Sequence, residues 1–191
     1  MTLSIQKFRS VCGGSKNRSP GKTLGNAKGR SLPSRPVIAA GRERICTTIS
    51  VTGLVDTNIL VYCFDPRSPE KQRIARALLL SGVERGSLCL AQQAIIEFYS
   101  TIIRPIKGFG QLLDERTARQ ETERLLAEFT IIYSNAAVIR TALRGTAEHQ
   151  LSWFDAHMWA YAEVFGLDEL LSEDFQHDRV YGRVRVVNPF R

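Results

Sequence analysis

From residue 51 onward, short apolar runs alternate with longer segments of helical spacing, and this alternation constrains the fold more than any other feature of the chain. Strands separated by helices need crossover connections, so the pattern predicts an α/β fold with a parallel sheet covered on both faces. The runs lie at 51–55, 87–91, 130–133, 169–171 and 184–187, which gives about five short strands. Helices are expected over roughly 58–63, 69–86, 92–104, 114–129, 135–148 and 152–165. Their boundaries carry signals. Ser68 is a candidate N-cap ahead of Pro69, Gly86 and Gly166 are stops, Pro105 ends a helix, and the region of Gly145 is expected to close another. Expected core positions include Ile95, Phe98, Tyr99 and Ile102, then Leu125 and Leu126, then Phe154, Met158, Tyr161 and Phe165.

Charge divides the chain in two. Residues 1–50 hold ten of the 26 Lys and Arg but only Glu43 of the 19 acids, so they carry +9 and the remainder −2. The extension is rich in Gly, Ser and Pro and poor in large apolar residues, which predicts disorder. Three explanations fit it: a start assigned too far upstream, with translation beginning near Val51; a basic arm for nucleic acid; or a transit peptide. The first is favoured. The globular domain is expected over 51–191. Cys12, Cys46, Cys63 and Cys89 show no paired or metal-ligand spacing, and Cys63 and Cys89 sit in apolar runs. A reducing cytoplasm is the expected compartment. No run reaches the length of a membrane-spanning helix.

Four acids stand in unusually apolar settings. Asp56 follows Leu54-Val55, Glu97 lies in Ala94-Ile-Ile-Glu-Phe-Tyr99, Asp155 lies in Trp153-Phe-Asp-Ala156, and Asp174 follows Leu170-Leu-Ser-Glu173. A charge beside a core must be paired, hydrogen-bonded or bound to metal. Each acid also has a purely structural explanation. Asp56 fits an N-cap, Ser152-Trp-Phe-Asp155 fits a capping box, Glu97 fits a helix flank, and Asp174 fits a loop acid beside Glu173. The three histidines form no site: His149 and His177 fall in expected loops, and His157 points to a different helix face from Asp155.

Taken together, the four segments resemble the PIN-domain family. Leu54-Val-Asp-Thr-Asn-Ile-Leu-Val-Tyr62 is similar to its opening motif, Gln93-Ala-Ile-Ile-Glu-Phe-Tyr99 to the segment with its second acid, Leu151-Ser-Trp-Phe-Asp-Ala-His-Met-Trp-Ala160 to the third, and Leu171-Ser-Glu-Asp-Phe-Gln-His177 to the fourth. The resemblance runs over about residues 52–190 and lies closest to the VapC-type toxins of prokaryotic toxin–antitoxin pairs. It implies a three-layer α/β/α fold and a Mg²⁺- or Mn²⁺-dependent endoribonuclease. Asp56, Glu97, Asp155 and Asp174 would be its catalytic, metal-holding acids, and Asn58 an amide behind them or facing substrate. It also implies a homodimer and a small cognate antitoxin whose tail blocks the acidic site, with RNA as substrate and no membrane. One departure stands out: Asp178 occupies a turn position that is often Gly in this subgroup.

Converging acids have a physical reason to hold cations. Two unit charges about 5 Å apart at an effective dielectric near 20 repel by about 3 kcal/mol, so several cannot stay ionised unaided. Oxygen donors without His or Cys select Mg²⁺ or Mn²⁺. Arg104, Lys107, Arg179, Arg183 and Arg185 are candidates for phosphate contacts. A catalytically silent PIN-like binding module for RNA or protein is the alternative. A phosphatase of the haloacid-dehalogenase type wants a second Asp where Asn58 stands. A receiver domain wants a late Lys, and none follows Lys107.

Overall fold

The computed structural model describes residues 53–191. The expectations for the basic extension lie outside the described residues. The chain begins with β1 (Gly53–Val55), α1 (Thr57–Tyr62), α2 (Pro69–Arg85), β2 (Leu88–Ala91) and α3 (Gln92–Ile102). It continues through α4 (Glu115–Glu128), β3 (Thr130–Ile132), α5 (Ala136–His149), α6 (Trp153–Phe165) and β4 (Glu169–Leu171). A short β5 (Val180–Tyr181) and β6 (Val184–Val187) close it.

The sheet order is β3-β2-β1-β4-β6-β5. Every pairing is parallel except β5 with β6. The five parallel strands are the five expected from sequence, and β5 is the addition. Val180-Tyr181 is too short to register as an apolar run; it exists because the turn at Gly182 folds it back onto Val184. The chain builds outward from β1 to β2 and β3, then returns to place β4 on β1's other side. That reversal opens a crevice at the carboxyl ends of β1 and β4, where ligands of open α/β sheets bind.

Helix boundaries follow the local chemistry. Pro69 opens α2 after Ser68, although the Ser68 side chain makes no cap bond. Asp114 caps α4 through the Thr117 amide, and Asn135 caps α5 through the Ala137 and Val138 amides. Gly86 and Gly166 end α2 and α6 in the left-handed conformation, where glycine pays no Cβ penalty. Four expectations need correction. Leu126 is 40% exposed while Leu125 is buried, because only one of two adjacent helical positions can face the core. Phe154 is 62% exposed, whereas Met158 and Tyr161 of the same stripe are buried. His149 is the last residue of α5, not a loop residue, and its ring meets Trp159 and Tyr181 edge-on. Gly145 does not end α5; Gln150 does, at φ 55°.

Gly145 instead lets α5 and α6 approach. A Cβ there would lie 2.7 Å from two ring carbons of Trp159, which is buried and donates its indole N–H to the Tyr181 carbonyl at 2.9 Å. That hydrogen bond and the edge-on His149 ring hold the indole in place. Overpacking of this kind costs about 1–3 kcal/mol, against a helix-propensity gain of up to about 1 kcal/mol for Gly→Ala. Gly145→Ala is therefore expected to lower stability by roughly 1–2 kcal/mol in urea unfolding. A variant as stable as wild type would refute the close approach.

Candidate functional site

Two strand ends create the centre of the site. Val55 and Leu171 are register partners in β1 and β4, and the Asp56 amide donates to the Leu171 carbonyl at 3.0 Å. The residues leaving these strands therefore meet. Asp56 caps α1, its Oδ1 accepting from the Thr57 amide at 2.6 Å. Its Oδ2 accepts from the Ser172 hydroxyl at 2.6 Å and from Asn58 Nδ2 at 3.2 Å. Ser172, fully buried, also accepts from the Asp174 amide at 3.1 Å. Asn58 Nδ2 reaches Asp174 Oδ2 at 3.0 Å. The capping role of Asp56 and its place in the cluster are thus one arrangement.

The other two acids come from helices. Glu97, two turns into α3, accepts from Thr57 Oγ1 at 3.0 Å and from Gln93 Nε2 at 2.8 Å. Asp155 sits in the first turn of α6. Ser152 Oγ accepts from the Asp155 amide at 3.3 Å and donates to Asp155 Oδ2 at 2.7 Å. The capping-box spacing is realised through the serine hydroxyl, not its amide, and it engages only one carboxylate oxygen. Asp56, Glu97, Asp155, Asp174 and Asn58 all line one open cleft of about 590 Å³.

Among the described residues, no three His, Cys, Asp or Glu side chains close on one point as a metal-holding group. The cleft's chemistry nevertheless suits a hard cation. Its donors are oxygens, and the buried Asn58 Oδ1 and Gln93 Oε1 have no hydrogen-bond partner. Asp56 is 6% exposed, and burial pushes its pKa from 3.8 up to about 7. Hydrogen bonds from Ser172 and Thr57 oppose that rise, while the charges of Asp174 and Glu97 add to it. A buried carboxylate beside two others is uncompensated charge that a cation would relieve.

Glu173, which the sequence left without a role, does not line the cleft. It pairs with Lys71 of α2 and accepts from the Tyr62 hydroxyl. Lys71 also lies over the Tyr62 and Phe190 rings, so the loop carrying Asp174 is tied to α1, α2 and the C-terminal residues. Asp178 adopts φ 60°, which explains why glycine suits that position; its carboxylate meets His177 and Arg185 and does not line the cleft. Of the candidate phosphate contacts, Arg104 lines the cleft. Arg183 is bound to Glu163, Arg185 to Glu169, and Arg179 lies over Tyr181. His157 is wedged between Trp153 and Tyr161, with Ser134 at 3.3 Å, and burial lowers its pKa. Sequence reasoning missed Ser172, Gln93 and Thr57. Gln93 stands four residues before Glu97, a spacing that could have revealed it.

The raised pKa of Asp56 has a thermodynamic consequence. The folded protein holds this proton more tightly than the unfolded chain, so the contribution is full below about pH 4 and is lost as pH rises through about 7. At about 1.4 kcal/mol per pKa unit the ceiling is about 4 kcal/mol. Metal-free wild type should therefore lose more stability than Asp56→Asn between pH 5 and pH 8. Mn²⁺ should raise the Tm of wild type at pH 8 and barely at pH 5. Thermal melts check both, and parallel pH profiles for the two proteins would contradict the electrostatics.

A family model described as PIN domain matches residues 53–183. No curated protein matches the chain. Solved structures do. A toxin–antitoxin complex from Klebsiella pneumoniae aligns at 21% identity and TM-score 0.52, covering 72% of this chain and 97% of that one. DNA-bound VapBC from Salmonella typhimurium aligns at 11% identity and TM-score 0.54, covering 72% and 97%. VapBC2 from Rickettsia felis, bound to a promoter DNA fragment, aligns at 14% identity and TM-score 0.52, covering 70% and 96%. At these identities the likeness establishes a shared fold. The family match covers well over half of the sequence and spans Asp56, Glu97, Asp155 and Asp174, and the chain belongs to the PIN domain family.

Proposed function

We propose that this chain is a divalent-metal-dependent endoribonuclease and the toxin of a toxin–antitoxin pair, with Asp56, Glu97, Asp155 and Asp174 as its catalytic site. The observation that carries the reading is the convergence of these acids from β1, α3, α6 and the β4 exit on one cleft, with Asp56 buried and its pKa near 7. The structural neighbours named above are toxin–antitoxin assemblies, which supports the biological setting.

The four carboxylates would hold Mg²⁺ or Mn²⁺. An ion held there would supply Lewis-acid chemistry for phosphodiester hydrolysis. The chain's own task is positioning. Ser172 and Asn58 fix Asp56 against Asp174. Thr57 and Gln93 fix Glu97. Asp155 gives one oxygen to Ser152 and keeps Oδ1 for a cation. No covalent nucleophile is required.

A small antitoxin and a second copy of the chain are the proposed protein partners. Exposed Ile139 and Leu143, four residues apart on α5, supply an apolar stripe suited to such a contact. Buried Cys63 and Cys89 suit a reducing cytoplasm. Among the described residues no helix is long and apolar enough to cross a membrane.

The silent binding module remains as a second reading, because the acids line the cleft without closing on one point. Cleavage of a structured-RNA pool in Mg²⁺, Mn²⁺ and EDTA, beside Asp56→Asn, separates the two. The nuclease predicts metal-dependent cutting that falls to background in a folded Asp56→Asn protein. Equal cutting by that variant would sink the site assignment. A folded wild-type protein that neither cuts nor binds Mn²⁺ in calorimetry would establish the silent module.

A further inference from the structure

The cleft extends beyond the four proposed catalytic acids. Asp65, Arg67, Ser100, Thr101 and Arg104 line it beside Tyr62. Asp65 lies between α1 and α2 and is only 5% exposed. Its carboxylate takes the Arg67 guanidinium along one edge: Nε donates to Oδ1 at 2.8 Å and Nη2 to Oδ2 at 2.6 Å. The Arg67 amide donates to the same Oδ1 at 3.0 Å. The Phe109 ring, from the loop after α3, lies 5.4 Å from the guanidinium carbon. One edge and one face of the arginine are thereby fixed.

The Arg67 hydrogen bonds outweigh the desolvation of Asp65 and hold its carboxyl below the usual range, so the charged pair persists and keeps the guanidinium in place. The Arg67 side chain keeps 45% of its surface exposed. Its remaining edge, with Nη1, is a rigid donor set on the wall of a cleft rich in acids. A guanidinium fork matches phosphate geometry, and a pre-ordered fork loses less entropy on binding than a free side chain. Arg104, in the same cleft, is exposed and pairs with no carboxylate among the described residues. The loop sequence Asp65-Pro-Arg67 hides this, since it reads as an ordinary turn.

We propose that Arg67 is a phosphate-anchoring residue: it grips the sugar–phosphate backbone of the RNA strand in the cleft, held ready by Asp65 and Phe109. The proposal rests on the RNA-cleaving reading and names the substrate contact that an acidic site needs. A polyanion entering a cleft lined by carboxylates gains from fixed guanidinium donors in the same cleft.

The test compares full-length wild type, Arg67→Ala and Arg67→Lys. Affinity for a single-stranded RNA oligonucleotide is measured in EDTA across a salt series, and cleavage is measured separately in Mn²⁺. Loss of one charge-assisted contact should raise the Kd of Arg67→Ala about tenfold. It should also reduce the slope of log Kd against log salt by about 0.7, the value for one single-strand phosphate. Arg67→Lys should restore the slope but not the full affinity, since it keeps the charge and loses the fork. Contributions from residues 1–50 are common to all three proteins and cancel. Unchanged Kd and slope in Arg67→Ala, with wild type still cutting, would overturn the anchor and leave the nuclease standing. An Arg67-dependent slope without any cutting would uphold the anchor and sink the nuclease. Wild type that does not bind RNA would overturn the anchor outright.

Discussion

The parallel pairing of β1 with β4 is the contact on which the rest of the molecule depends. It aligns Val55 with Leu171, so the next residue on each strand, Asp56 and Ser172, emerges at the same height. A one-residue slip would turn each strand's side chains to the opposite face. The Asp56 carboxylate would then lose the Ser172 hydroxyl, and Asn58 could no longer reach Asp174. Register here is protected by burial: Leu54, Val55 and Leu170 have no exposed surface. The accuracy of a polar cluster is thus set by apolar packing a few ångströms below it.

The same cluster shows why buried charge is tolerated. Asp56 has three hydrogen-bond donors, and they do not bring its pKa back to the ordinary carboxylate range. Desolvation and two neighbouring charges outweigh them. The protein therefore carries a standing electrostatic debt at the carboxyl ends of its central strands. The hydrogen bonds fix the direction of the carboxylates without neutralising them, which is what a site for a cation requires.

Much of this was readable in the chain. Short, largely apolar runs located every parallel strand, most plainly in the central β1 and β2, which are buried along their whole length. Gly86 and Gly166 marked helix ends because left-handed caps favour glycine. The four acids were visible as charges in apolar company. What stayed hidden depended on long-range geometry. Ser172 looks like any serine until β4 is set beside β1. Gly145 looks like a stop until Trp159 is packed against it. Phe154 has helical core spacing, but it stands in the first turn of α6, where it lines the open cleft. The two-residue β5 has no periodicity to detect and exists only as the partner of β6.

The outer margins of the sheet are unequal in kind but alike in length. One is β3, with three residues, and the other is β5, with two and running against its neighbour. Neither presents enough unpaired backbone to template another strand. Copies of this chain are thus poorly equipped to grow edge to edge into a continuous ribbon. Among the described residues, the surfaces left for association are the helical faces, where side-chain chemistry rather than main-chain hydrogen bonding would select a neighbour.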